Sequence, residues 1–139
     1  MKLLFFILIL SAACSDLLTA QLPDSLKYQS LNPKEFQQKF TEVQDPLLLD
    51  VREFFEFRKS RIKRAINIPT SGKFETAADT IPIESPLFLY CYSGGRSKKA
   101  ALYFYEKGFR KLYNLKGGIT LWKKEGLPVV KKRLRAHDS

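Results

Sequence analysis

Short apolar runs alternate with amphipathic segments along most of the chain. Four segments are nearly continuous apolar stretches, as expected for strands that are buried on both faces. They are DPLLLDV, AINIP, PLFLYCY and KLYNL. The segments between them include SLNPKEFQQKF, REFFEFRKSRI, SKKAALYFYEKG and GGITLWKKEG, which have helical spacing. This alternation predicts a three-layer α/β domain, with a mostly parallel central sheet of about five strands and helices on both faces.

Helix ends are marked in the sequence. Asn32 is a suitable N-cap, Pro33 suits the first helical position, and Phe36 and Phe40 fall on one face of the helix that follows. Gly108 is positioned to end the helix of SKKAALYFYEKG. These signals predict two of the helices that cover the sheet.

The N-terminal stretch MKLLFFILILSAAC has the pattern of a secretory signal, which we assign to residues 1–20. Its apolar run, residues 3–13, is 11 residues long. A membrane-spanning helix needs about 20. SAAC resembles a lipoprotein box, in which Cys14 is lipidated after cleavage before it; the alternatives are cleavage after Ala20 or an uncleaved anchor. We therefore expect an exported protein, either periplasmic or a membrane-anchored lipoprotein.

The chain has 139 residues, enough for one domain, which we place at residues 26–130. With 45% hydrophobic and 27% charged residues it is not of the disordered class. The net charge of +10 favours anionic partners, and the basic tail at 131–139 is interpreted as a solvated charge run, with binding to an anionic membrane surface as the alternative. No groove-reading or stacking motif accompanies the charge, so we predict no nucleic-acid binding.

The cysteine and histidine content excludes several kinds of site. The chain has two cysteines, Cys14 and Cys91, and one histidine, His137 in the tail. If Cys14 is removed or lipidated, Cys91 has no internal disulfide partner. No set of metal ligands is present, and we predict neither a metal nor a cofactor.

The segment CYSGGRS joins a predicted buried strand to a predicted helix. Gly94 and Gly95 allow backbone amides to turn inward as an anion-binding nest at the helix N-terminus. This environment lowers the pKa of a thiol such as Cys91, and Arg96 adds a fork of donors for an oxyanion. Ser97 can cap the helix or donate to sulfur. The segment predicts a nucleophile in an anion cradle; the alternative is a buried core cysteine beside a glycine turn.

Three ordered motifs resemble the single-domain rhodaneses, a sulfurtransferase family. They are LLLDVREFFEFRKSRIKRAINIP, CYSGGRS and KGFRKLYNLKGGITLWKKEGLPV, and the resemblance extends over about residues 26–130. The chain departs from the family pattern at Ser60-Arg61, where Gly-His is usual, and at Arg64, where glycine is usual.

The resemblance implies that Cys91 takes sulfane sulfur from a donor such as thiosulfate, holds it as a persulfide, and passes it to a thiol or cyanide. Arg96 would neutralise the departing oxyanion. Asp50 and Arg52 would brace the loops, and Glu56 would be structural. The implied donor-binding loop consists of Tyr92, Ser93, Gly94, Gly95, Arg96 and Ser97.

Two alternatives remain at this point. One is a non-catalytic persulfide carrier or protein-interaction module, since a carrier differs from a transferase only in its acceptor. The other is a cysteine phosphatase, which has a longer loop between cysteine and arginine. Here four residues separate Cys91 from Arg96, a smaller cradle that favours sulfur over phosphate.

Overall fold

The computed structural model describes residues 22–131. The predicted signal with Cys14, and the basic tail apart from Lys131, lie outside the described residues. In chain order the helices and strands are α1 Asp24–Lys27, β1 Gln29–Leu31, α2 Pro33–Glu42, β2 Leu47–Asp50, α3 Phe54–Lys59, β3 Ser60–Arg61, β4 Ile66–Asn67, α4 Phe74–Ala78, β5 Leu87–Tyr90, α5 Gly95–Glu106, β6 Leu112–Leu115, α6 Gly118–Lys124 and β7 Val130–Lys131. None of the helices described is long and apolar enough to cross a bilayer.

Five strands form one parallel sheet in the order β1-β6-β5-β2-β4. In its centre β2 pairs with β5, with Leu49 opposite Leu89 and Asp50 opposite Tyr90. Because all five strands run in the same direction, the carboxyl ends of β2 and β5 meet at one edge of the sheet, where ligands bind in folds of this type. The predicted α/β fold with a mostly parallel five-stranded sheet is confirmed.

The sheet separates two apolar cores. Leu89 of β5 lies in the core beneath α5 with Phe104. Its neighbour Phe88 lies in the opposite core, with Phe36 of α2 and Trp122 of α6. All four residues of β5 are buried, which explains why this strand is an unbroken apolar run in the sequence. The two cores hold the β5–α5 connection between packed layers.

The predicted start of α2 is present. Asn32 accepts a hydrogen bond from the backbone N–H of Glu35 at 3.0 Å, and the Glu35 carboxylate accepts one from the N–H of Asn32 at 3.1 Å. This reciprocal capping box satisfies two backbone donors at the helix end. Further along α2, Phe36 and Phe40 each contact the ring of Phe88 edge-on, with 5.2 Å between the ring centroids in each pair. The capping box and the aromatic contacts fix α2 against the sheet.

Helix α1 and three short strands, β1, β3 and β7, were not predicted. β1 is a three-residue segment, two of whose residues are polar, that pairs with β6 at one edge of the sheet. The predicted helix REFFEFRKSRI is wrong at its end, because α3 stops at Lys59 and β3 follows, paired antiparallel with β7. This pairing places Lys131 opposite Ser60, so the predicted start of the basic tail at residue 131 is wrong, because Lys131 belongs to β7. Strands this short have no readable periodicity, and their partners lie far away in the sequence.

Arg64 occupies a backbone conformation that suits glycine. Its φ is 72°, in the left-handed region, at the position where the resembled family has glycine. A non-glycine residue there costs about 1–2 kcal/mol. The guanidinium lies over the ring of Phe40, 5.2 Å from its centroid, a cation–π contact that offsets part of this cost. The departure from the family pattern therefore retains the glycine-like turn.

Candidate active site

Cys91 is the first residue after β5, at the carboxyl edge of the sheet. Gly94 follows as the N-cap of α5 with a φ of 103°, a left-handed conformation that turns the chain into the helix. Residues 91–97 are called the active-site loop below. Cys91 is buried, with 0% of its surface exposed. A reagent therefore reaches its sulfur only when the rim of the loop moves.

The sulfur of Cys91 is surrounded by donors. The backbone N–H of Gly94 donates to Sγ at 3.1 Å, and the Ser97 hydroxyl lies 3.5 Å from it. Burial by itself would raise the pKa of the thiol. Hydrogen bonds from the Ser97 hydroxyl and from the backbone N–H groups of Ser97, Gly94 and Ser93 outweigh burial and lower the pKa of Cys91 below its usual value. The loop therefore stabilises a thiolate, the reactive form of cysteine.

Arg96 is held by Glu56 of α3. The two form a bidentate ion pair, with Nη1 to Oε2 at 3.2 Å and Nη2 to Oε1 at 3.3 Å. Burial raises the pKa of Glu56. Hydrogen bonds from Arg96 and from the N–H of Glu53 lower it by more than burial raises it, so the pKa of Glu56 is below its usual value. The hydrogen bond to Glu56 raises the pKa of Arg96. Glu56 thus connects the loop to α3 and neutralises the charge of Arg96. The sequence did not predict this partner for Arg96.

Asp50 and Arg52 form a buried ion pair at the end of β2. Arg52 Nη2 lies 2.7 Å from Asp50 Oδ2, and the same nitrogen donates to the Ser60 carbonyl at 2.7 Å. The side-chain amide of Asn67 donates to the carbonyls of Asp50 and Arg52, which joins β2 to β4. No hydrogen bond between this pair and Cys91 occurs in residues 22–131. The arrangement braces the connections around the loop without entering it.

The N-terminus of α6 forms hydrogen bonds to the other side of the loop. The N–H of Ile119 donates to the Cys91 carbonyl at 2.9 Å, and the N–H and hydroxyl of Thr120 donate to the Tyr92 carbonyl at 3.1 and 2.8 Å. In a trans peptide the N–H points away from the carbonyl. Fixing the Tyr92 carbonyl on α6 therefore turns the N–H of Ser93 toward the sulfur, which agrees with its effect on the pKa of Cys91.

Gly118 allows this close approach. A Cβ added to it would lie 2.6 Å from the Cys91 carbonyl oxygen and closer still to the Tyr92 carbonyl. Real side chains do not fit there, so only glycine lets α6 reach the loop. Sequence reasoning assigned no role to Gly118 or Thr120. The available signal was the Gly-Gly pair at 117–118, placed directly before a helix.

Comparison with known proteins identifies this arrangement. A family model described as a rhodanese-like domain matches residues 32–125, which is more than half of the chain. The chain belongs to the rhodanese-like family. The resemblance in the three sequence motifs is thereby confirmed.

Individual relatives place this rhodanese-like domain among proteins named for sulfur transfer. It is 31% identical over 100 residues to a sulfurtransferase of Allochromatium vinosum, covering 72% of this chain and 92% of that protein. It is 31% identical over 86 residues to the thiosulfate sulfurtransferase GlpE of Glaesserella parasuis, covering 62% and 79%. The crystal structure of a rhodanese-related protein from Thermoplasma volcanium superposes with a TM-score of 0.65 at 30% identity, covering 74% and 98%. Family and names together support sulfurtransferase-like chemistry.

The rim of the rhodanese-like loop is exposed. Tyr92 projects into solvent with 57% of its surface exposed, and Ser93 and Gly95 are exposed beside it. A Cβ on Gly95 would meet nothing within 4 Å, so this position is open. Incoming molecules meet these residues first. No cluster of three or more potential metal ligands occurs in residues 22–131.

Proposed function

We propose that the chain is a sulfurtransferase that moves sulfane sulfur through a persulfide on Cys91. The observation that carries the proposal is the Cys91 sulfur itself, held by donors from Gly94 and Ser97 at the start of α5 in a rhodanese-like domain. The Cys91 thiolate attacks the outer sulfur of thiosulfate, a new S–S bond forms, the S–S bond of thiosulfate breaks, and sulfite leaves with its electron pair. Cyanide or a thiolate then attacks the outer sulfur of the persulfide and regenerates the Cys91 thiolate.

The loop assists both steps. Backbone N–H groups that stabilise the thiolate also stabilise the terminal sulfur of the persulfide, since both carry negative charge near the same helix N-terminus. Proton transfer is not required in either step. The lowered pKa of Cys91 keeps the nucleophile ionised at a lower pH than that of an ordinary thiol.

Arg96 is the proposed ligand for the sulfonate end of the donor. A guanidinium has five N–H donors, and the hydrogen bonds to Glu56 use two of its nitrogens, so donors remain for an incoming oxyanion. Because Cys91 is buried, the donor must also shift the rim of the loop. Movement of Arg96 toward the donor loosens its ion pair with Glu56, which couples binding of the anion to opening of the loop.

The test is turnover of thiosulfate and cyanide by the full chain, measured as thiocyanate formed. We expect turnover that is lost in Cys91→Ala and retained in Cys14→Ser, which removes the other cysteine. A persulfide on Cys91 without transfer to cyanide would favour a carrier or interaction module. No sulfur uptake, with hydrolysis of para-nitrophenyl phosphate instead, would favour a phosphatase-like enzyme. No uptake and no turnover of any kind would refute the proposal.

Tyr92 is proposed to select the acceptor, because its exposed ring stands at the rim of the loop. In Tyr92→Ala we expect persulfide formation at the normal rate and an altered ratio of kcat/KM values for cyanide and for a thiol such as glutathione. Equal ratios in the two proteins would exclude this role.

Export is proposed from the N-terminal sequence alone, with Cys14 lipidated in a periplasmic or membrane-anchored form. The test is labelling with a radioactive fatty acid in cells that express the wild-type chain or Cys14→Ser. Label that depends on Cys14 supports the lipoprotein; an unlabelled protein with a mature N-terminus at Gln21 supports plain secretion.

A further inference from the structure

A second candidate site lies on the side of the β3–β7 sheet that faces α6. A cleft of about 520 Å³ opens there, with Lys59, Lys123, Lys131 and Ser60 among its lining residues. We call it the lysine cleft. It lies at the last turn of α6, whereas the active-site loop is held by the first turn of the same helix. The cleft is therefore separate from the Cys91 loop.

The backbone brings the lysines together. Ser60 and Lys131 lie opposite each other in the antiparallel pair of β3 and β7, so their side chains project from the same face. From α6, the ammonium group of Lys123 donates to the Ser60 hydroxyl at 2.7 Å. Lys123 and Lys131 thus lie on one side of the small sheet, and Lys59 precedes Ser60 at the end of α3.

The described part of the chain places no paired carboxylate beside the positive charges of the cleft. None of the three lysines forms an ion pair with a carboxylate within residues 22–131. The pKa of Lys123 is lowered, first by burial and then by repulsion from Arg52, Lys131 and Lys59. A bound anion would offset this repulsion and provide a counter-charge that residues 22–131 do not supply to these lysines.

We propose that the lysine cleft binds a phosphate-type oxyanion. Three ammonium groups are compact point charges that bind phosphate well, and their convergence from α3, α6 and β7 suits a tetrahedral group with several charged oxygens. The Ser60 hydroxyl, held by Lys123, adds a neutral hydrogen-bonding group. Such a group belongs either to a soluble phosphate or to the headgroup of an anionic lipid.

The experiment compares Lys123→Gln and Lys131→Gln with Lys124→Gln, a matched neutralisation of the next residue on α6, which is exposed and outside the cleft lining. Circular dichroism first establishes that each full-length variant is folded. In one arm, thermal unfolding is followed with inorganic phosphate and with sodium chloride at equal ionic strength. In the other, co-sedimentation is measured with vesicles of phosphatidylcholine alone and with added phosphatidylglycerol, because the apolar N-terminal segment would bind both kinds of vesicle.

We expect the affinity for phosphate, or the part of vesicle binding that depends on phosphatidylglycerol, to fall about five-fold in each cleft variant and to change little in Lys124→Gln. If stabilisation by inorganic phosphate is weakened in Lys123→Gln and Lys131→Gln, the ligand is a soluble phosphate. If only the binding to vesicles with phosphatidylglycerol is weakened, the ligand is a lipid headgroup. The proposal is overturned if neither arm depends on these lysines, or if Lys124→Gln loses as much as they do. Because Lys123 lies at the far end of α6 from the loop, turnover of thiosulfate stays unchanged in Lys123→Gln, so this proposal and the sulfurtransferase proposal fail independently.

Discussion

Gly118→Ala tests whether α6 shapes the active-site loop. Gly118 has a φ of +60°, and a Cβ there would be within 2.6 Å of the Cys91 carbonyl oxygen. The obstacle is backbone, which cannot rotate away as a side chain would. To fit alanine, the contact between Ile119 and the Cys91 carbonyl must lengthen, and the amides that follow must turn away from the sulfur.

A matched control separates the two costs of this substitution. Gly126 also has a left-handed conformation, with a φ of +76°, but a Cβ there would meet nothing within 4 Å. Gly126→Ala therefore carries only the conformational cost, about 1–2 kcal/mol. Gly118→Ala adds an overpacking cost of about 1–3 kcal/mol. We expect the free energy of unfolding to fall by about 2–5 kcal/mol in Gly118→Ala, and by only the smaller amount in the control.

The assay is urea unfolding together with the pH dependence of alkylation by iodoacetamide, followed on the Cys91 peptide by mass spectrometry. Turning the loop amides away from the sulfur removes donors from the thiolate, so the pKa of Cys91 rises in Gly118→Ala and its alkylation profile moves to higher pH. Gly126→Ala keeps the wild-type profile. Identical profiles, with stability losses that agree within about 0.5 kcal/mol, would refute the claim that α6 positions the loop.

Three further substitutions test other contacts. Ser97→Ala removes a donor to the thiolate, so the pKa of Cys91 rises and alkylation requires higher pH; an unchanged profile would mean that the hydroxyl bonds only to the backbone. Asp50→Ala leaves the buried guanidinium of Arg52 unpaired and lowers the free energy of urea unfolding by about 3–5 kcal/mol, whereas a loss below about 1 kcal/mol would indicate that water reaches the cation. Glu56→Gln frees the loop arginine, so KM for thiosulfate falls while the alkylation profile of Cys91 changes little; a raised KM would show that Glu56 is needed to orient the arginine.

The fold was predictable where its signals are local. Each of the four apolar runs contains a strand of the structure. Asn32 and Gly108 correctly predicted one end of α2 and one end of α5. The β1 strand was missed because it has only three residues, two of them polar, and is a strand only by pairing with β6. The β3–β7 pair was missed because neither Ser60–Arg61 nor Val130–Lys131 lies in a predicted apolar run, and each is a strand only by pairing with the other, whereas the equally short β4 lies in AINIP.

The candidate site was likewise predictable only where its residues are close together in the sequence. Cys91, the two glycines and the start of α5 lie within seven consecutive residues, so the sequence indicated that a glycine turn and a helix N-terminus would lie beside this cysteine. The partner of Arg96 is 40 residues away in the chain, and the donors from α6 reach the loop across the sheet edge. Such contacts depend on how the helices pack. The sequence signal for them was the glycine pair before α6, which is typical of a close approach between two backbone segments.

The central claim is that Cys91 accepts the outer sulfur of a donor and passes it on. The most direct measurement supplies thiosulfate labelled with heavy sulfur in the outer position, and follows the label by mass spectrometry before and after cyanide is added. We expect that one labelled sulfur atom appears on the Cys91 peptide, that unlabelled sulfite is released with it, and that the label then leaves as thiocyanate. Label that never reaches Cys91, or thiocyanate formed equally well by Cys91→Ala, would contradict it.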